Sequence, residues 1–336
     1  MGTSVTLALA GDTMLGRLVG DALAREPAGS FVAPEVVAAM HAADARVLNL
    51  ECCISRRGRR WPDPDKPFFF RAPPEAVALL RLLRIDAVTL ANNHALDHGR
   101  TALADTLAYL DAAGIAHVGA GGDLAAARRP VTLEVAGVRV AVLGVTDHPA
   151  GFAAGPHGGG VAYADLRREV PDWLLAAVGR AAGEADVVLV TPHWGPNLVT
   201  SPTPHVRRSA AALLSAGATV VAGHSAHVFH GVGWRARPGP AVLYDLGELI
   251  DDYAVHPGVR NDLGLLWTVV VGPAGVERLD ALPLRLRVAR TEVATGDDRA
   301  WIVDRLRTAC AELGTEVEDA GDRLRVGPEG TFVVPG

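Results

Sequence analysis

Five short stretches of this 336-residue chain carry residue types that do chemistry rather than packing. They are Gly11-Asp12, Asn49-Leu50-Glu51, Asn92-Asn93-His94 with Asp97 and Gly99, His193-Trp194-Gly195, and Gly223-His224-Ser225-Ala226-His227. Together they offer carboxylates, carboxamides and imidazoles, and no thiolates. That donor set suits a divalent cation such as Mn2+, Fe2+ or Zn2+, and a shared carboxylate can bridge two ions. A lone histidine at a strand end is more often a satisfied structural residue. Five such groups, each directly after an apolar run, point instead to one metal-centred site holding one ion or two.

The elements that must position them can be read from the apolar pattern. Runs at 5–10, 45–50 and 87–91 have the length and continuity of strands buried on both faces. Helical spacing covers 34–42 and 73–84, each opening with proline, and 101–113, ending at Gly114. Strands at 131–135 and 138–145 flank Ala136-Gly137 as a hairpin. Helices at 172–182 and 206–216 then alternate with strands at 187–191 and 219–222; strands at 241–246, 265–271 and 275–282 close the sheets, and a helix at 298–313 follows. The alternation predicts an α/β layered sandwich, with mixed sheets because hairpins interrupt the crossovers. Ligands of open α/β sheets gather at the carboxyl ends of strands, so the five groups should converge. Residues 1–282 are expected to form the main domain, and 283–336 a C-terminal extension of strand, helix and tail packed on it.

Composition narrows the function. With 49% hydrophobic and 21% charged residues the chain can bury a full core, and a net charge of −6 argues against non-specific nucleic-acid binding. Three cysteines, two of them the adjacent Cys52 and Cys53, are too few for a disulfide scaffold and suggest a reducing, cytoplasmic setting. No run reaches the roughly 18–20 apolar residues that span a bilayer, and neither a signal peptide nor a membrane anchor is expected. Two loops stand out. Residues 56–67 place four arginines ahead of a proline-rich turn containing Trp61, and residues 151–160 are glycine-rich enough to act as a lid. After Leu282, Arg285, Arg287 and Arg290 belong to an edge strand or to a peptide-recognising surface.

At these residues the chain resembles the CapA-like proteins, a family named for poly-γ-glutamate capsule synthesis within the calcineurin-like metallophosphoesterase superfamily. The carrying motifs are GDTMLGR (11–17), NLE (49–51), FRAPPE (70–75), NNHALDHG (92–99), HWG (193–195), GHSAH (223–227) and YDLGELI (244–250), across roughly 5–252. The resemblance implies a four-layer α-β-β-α sandwich of the metallophosphoesterase type. It implies that Asp12 and His227 bind one ion, that Glu51 bridges, and that Asn93, His193 and His224 complete a second site. His94, backed by Asp97, takes the place of the catalytic histidine, and Arg17 that of an anion or carboxylate clamp; Asn92 and Trp194 are further substrate-binding candidates.

Departures from the pattern shape the chemistry. Met14 stands where the superfamily's Asp-x-His has histidine, which depletes the first metal site. Asn197 replaces a glutamate, Ser225-Ala226 replace His-Pro, Glu248 replaces an asparagine, and His230 replaces a residue that is often glutamine. One good Lewis acid with flanking acid/base groups suits proton abstraction beside a carbonyl, with Asp12, His94, Asp97, Glu248 and His230 as candidates. The leading expectation is therefore a metal-dependent peptide epimerase, like the family's branch that inverts an α-carbon in ribosomally made precursor peptides such as lasso peptides. The alternatives are a metal-dependent hydrolase, phosphoesterase or amidase, acting on a small anionic substrate, and a non-catalytic capsule or polyglutamate assembly protein.

Overall fold

The computed structural model describes residues 3–331. Two mixed sheets stack face to face. The larger runs in the order Thr315–Ala320, Arg323–Pro328, Gly275–Arg287, Leu263–Gly272, Val5–Thr13, Ala45–Leu50, Ala87–Thr89, Ala116–Val118. Val5–Thr13 and the three strands after it pair in parallel, whereas Leu263–Gly272 returns antiparallel on its other side. The smaller sheet runs Val232–Trp234, Ala241–Leu243, Val220–Ala222, Val187–His193, Val138–Thr146, Val131–Val135, parallel in the middle and antiparallel at both edges.

Side chains alternate across each strand, so one run feeds two cores. Leu7, Leu9 and Val47 meet Val140, Val142, Leu189 and Val220 between the sheets. Ala8, Ala10, Leu48 and Val88 face the other way, under the helices Pro34–His41, Ala76–Leu82 and Gly99–Ala113. Leu143, Val188, Val190 and Val221 pack beneath Asp172–Glu184 and Pro204–Ser215. The result is the expected α-β-β-α sandwich, and its reason is the near absence of polar residues in the central strands.

The expected boundary after Leu282 falls inside the strand Gly275–Arg287. Residues beyond it add the strand Arg290–Val293, the helix Gly296–Ala311 and two further strands, all joined to the larger sheet or its core. The sequence showed a tail where Thr315–Ala320 and Arg323–Pro328 form an edge hairpin, because only one face of that hairpin is apolar. Arg285, Arg287 and Arg290 are engaged by Asp262 and Asp298, Glu292, and Glu26 respectively. Cys52, Cys53 and Cys310 are free and buried. Among the described residues no helix is long and apolar enough to cross a membrane.

Candidate metal centre

The centre starts from a close backbone approach. Asp12 N donates to Gly247 O at 2.8 Å, and a Cβ on Gly11 would lie 1.9 Å from that same oxygen, so only glycine fits. This contact seats the short strand Glu248–Ile250 in parallel against the end of Val5–Thr13, with Asp12 and Glu248 as direct partners. Glu51 arrives from the parallel neighbour Ala45–Leu50, and His227 from the loop after Val220–Ala222. That loop is strained, with φ of 108° at Ser225 and 59° at His227. Asp245 holds it by accepting from Ala226 N and Gly247 N at 2.8 and 2.9 Å.

Ligand atoms of Asp12, Glu51, His227 and Glu248 all lie within 4.8 Å of one another, and all four residues are buried. His227 Nδ1 is 2.5 Å from Glu248 Oε1, 3.2 Å from Asp12 Oδ2 and 3.8 Å from Glu51 Oε2. Yet these close approaches are not aligned as hydrogen bonds, and His227 Nδ1 and both carboxylate oxygens of Glu51 and of Glu248 are left without a well-formed one. Buried polar atoms are almost always satisfied, so converging donors left without partners are what a cation would complete. The residues fit a divalent ion.

The charges tell the same story. Burial pushes the Glu51 carboxyl well above its usual range, and the neighbouring Asp12 charge adds to it. Burial likewise raises Glu248, against the pull of His227. Burial would raise Asp12 too, but contacts with His224 and His227 hold it well below. Burial lowers His227, but the charges of Glu51 and Glu248 outweigh it and push the imidazole well above its usual value. Three carboxylates around one imidazole call for additional positive charge.

A second donor set shares Glu51. His193 Nε2 lies 3.5 Å from Glu51 Oε1, and neither ring nitrogen of His193 has a hydrogen-bond partner. His224 is bridged to His193 along the backbone and turns Nδ1 to Asp12 Oδ1 at 3.0 Å. Asn93 Oδ1 is buried and unpaired. Beside them, His94 Nδ1 donates to Asp97 Oδ2 at 2.6 Å, which leaves Nε2 free 4.0 Å from Glu51 Oε1. Asp97 is itself fixed by Phe70 N at 2.5 Å and Lys66 Nζ at 3.0 Å. Burial lowers His94 to about 4 despite Asp97, so the ring is neutral near pH 7. A cavity of about 400 Å3 opens over this group, bordered by Arg17, Phe68, Phe70, His94, His227 and Tyr253.

Other expected residues do different work. Arg17 borders the cavity, but Asp252 engages its guanidinium, which also lies over the Phe70 and Tyr253 rings at 4.9 and 5.4 Å. Asn92 is fully buried, donating to Asn49 Oδ1 and Leu50 O and accepting from His94 N at 3.0 Å. It positions His94 rather than touching the cavity. Trp194 donates Nε1 to Tyr244 O at 3.0 Å and packs in the outer core. His230 donates Nε2 to Val199 O at 2.8 Å, away from the four-ligand cluster. Met14 is buried, with Sδ accepting from Gly16 N at 3.1 Å. Sequence reasoning missed Lys66, Asp245, Asp252 and Tyr253, and gave Asn49 no role. Lys66 carried a signal, as the only lysine of the chain.

The bacterial capsule synthesis protein PGA_cap family matches residues 6–253, which include every residue of both donor sets. The chain belongs to this family. A relative in Mycobacterium tuberculosis (strain ATCC 25618 / H37Rv), named "Probable polyglutamine synthesis accessory protein", is 34% identical over 295 residues, 84% of this chain and 77% of that protein. The PGA biosynthesis protein CapA of Bacillus subtilis (strain 168) is 31% identical over 244 residues, covering 72% of this chain and 62% of its own length. A solved structure of a hypothetical protein from Thermus thermophilus overlays with a TM-score of 0.44 at 17% identity, across 86% of this chain and 96% of that chain.

Proposed function

We propose that this CapA-like chain is a metal-dependent hydrolase acting on an amide bond of a peptide-like substrate. One observation carries the reading: Glu248 stands beside Asp12 and supplies the ligand that Met14 does not, so the first site is four-fold, and His193 faces the same Glu51. The depletion that favoured epimerisation in the sequence is thereby made good. Asp12, Glu51, His227 and Glu248 would hold one ion, and Glu51, Asn93, His193 and His224 another. Their oxygen-rich composition favours Mn2+ or Fe2+ over Zn2+. When bound, such ions polarise a carbonyl and lower the pKa of water.

The chain's own groups do the rest. His94 is neutral and its tautomer is fixed by Asp97, so Nε2 can accept a proton and return it to the leaving nitrogen, with Asp97 stabilising the transient imidazolium. Phe68, Phe70 and Tyr253 offer ring surfaces, and Asp252 neutralises Arg17, so the cavity suits an uncharged acyl group better than a phosphate. The relatives' names, polyglutamine synthesis accessory protein and PGA biosynthesis protein, make poly-γ-glutamate the first substrate to test.

The test incubates protein loaded with Mn2+, Fe2+ or Zn2+ with poly-γ-glutamate and with glutamyl p-nitroanilides, and counts new amine ends. Metal-dependent release that His94→Asn abolishes supports the reading, and no release with any metal removes it. Epimerisation is the second reading, favoured by Tyr253, whose buried hydroxyl is unpartnered and borders the same cavity as His94. Deuterium entering a substrate α-carbon in D2O without bond cleavage would establish it.

A further inference from the structure

The arginine-rich loop divides into two halves with different fates. Its first two arginines are neutralised, Arg56 by Glu75 and Arg57 by Asp105. The next two are not: among the described residues Arg59 makes no ion pair, and Arg60 only lies over the Phe69 ring at 5.1 Å. They share a cavity of about 760 Å3 with Arg100, which also lacks a carboxylate partner, donating to Gly159 O at 3.0 Å and standing 5.9 Å from the Trp61 ring. Among the described residues no carboxylate lines this cavity, not even Asp63 and Asp65, the acids nearest in sequence. Three uncompensated guanidiniums around one hollow repel one another, and an anion among them relieves that repulsion.

The loop is built to hold them there. Gly58 has φ of 89° and passes so near the helix Gly99–Ala113 that a Cβ would lie 2.2 Å from His98 O. Trp61 N donates to Asp97 O at 2.9 Å, and the Trp61 ring meets Phe152 edge-on at 5.0 Å. The hollow is also tied to the candidate metal centre through the chain, although the two cavities share no lining residue. Phe69 lies under Arg60 and near His98, while the next residue, Phe70, stacks on His94 at 3.9 Å. Asp97 receives the Phe70 N–H and the His94 ring, so one turn of chain links the two cavities.

We infer that the hollow between Arg59, Arg60 and Arg100 is an anion subsite that binds two or more oxyanion groups of one extended substrate while another part reaches the metal centre. Guanidiniums pair bidentately with carboxylates and with phosphates, and Trp61 supplies a flat wall beside them. The inference rests on the hydrolase reading only for what then happens to the bound chain; the binding itself needs neither metal nor turnover.

The experiment is isothermal titration of the full-length protein, metal-free and Mn2+-loaded, with penta-γ-glutamate and with tripolyphosphate. At least one probe should bind metal-free protein, and the tighter one identifies carboxylates or phosphates as the oxyanions. R59A/R60A/R100A should weaken that probe at least about tenfold, R59E/R60E more, and raising salt from about 50 to 200 mM should weaken it in the native chain alone. Arg287→Ala, which removes a positive charge on a remote face, should leave it unchanged. No binding of either probe, or equal binding to native and triple-variant protein, overturns the inference. Binding without turnover leaves the subsite standing and removes the hydrolase reading; turnover with unaltered affinity in the triple variant removes only the subsite.

Discussion

Replacing Glu248 by glutamine removes one charge and keeps the shape, which makes it the sharpest probe of the centre. At an effective dielectric constant of about 20, Asp12 and Glu51, whose ligand atoms lie within 4.8 Å, each repel Glu248 by about 3.5 kcal/mol, and His227 at 2.5 Å attracts it by about 7 kcal/mol. These nearly cancel. Burial also disfavours the Glu248 charge, so without metal E248Q should lower stability by no more than about 1 kcal/mol, or about 1–2 °C in Tm for a chain of this length, and can raise it. With metal the balance changes, because one of four ligands and a full negative charge are gone. Outer-shell partners of metal ligands are already worth 10–100-fold in affinity, so about 100-fold is the expected floor for this residue. Mn2+ at about 100 times the native Kd stabilises the folded protein by about 2.7 kcal/mol; after a 100-fold loss the same concentration gives only about 0.4 kcal/mol. Thermal unfolding across a Mn2+ series, with calorimetric titration alongside, reads both quantities. A metal-dependent Tm rise in E248Q equal to that of the native chain would refute Glu248 as a ligand.

Three further outcomes are expected. His94→Asn should lower kcat by about 10²–10⁴ while the Mn2+-induced Tm rise persists; an equal loss of metal binding would make His94 a ligand instead. His230 is held at about 4 in the folded state, chiefly by burial, against about 6.5 unfolded. The unfolded chain takes up that proton first as pH falls, so the native state loses up to about 3 kcal/mol between pH 6.5 and 4. His230→Gln should flatten that part of the urea-midpoint profile, and an unchanged acid slope would contradict the burial argument. Trp194→Phe should cost about 1 kcal/mol by deleting the hydrogen bond to Tyr244 O, with kcat and KM unaltered; a raised KM would return Trp194 to the substrate.

The layered fold and the convergence of Asp12, Glu51, His193, His224 and His227 were legible because both depend on local pattern. An apolar run too long and too continuous for one buried face must be covered on two, and the polar residues that end such runs must emerge at one edge of the sheet. The sequence also isolated His94 with Asp97, three residues apart on one turn. What it could not supply was pairing between distant segments. Glu248 joins the candidate metal cluster only because Gly11 admits the Gly247 carbonyl and so lays a strand beside Asp12. Arg17 loses its free charge only because Asp252 folds back onto it, and Lys66 reaches Asp97 across a proline-rich turn. His230 and Trp194 stand among the motifs in sequence, but their free donors find carbonyls of other segments. Motif spacing fixes which residues reach the sheet edge; which of them keep an unpaired atom there is decided by contacts between segments that no local pattern encodes.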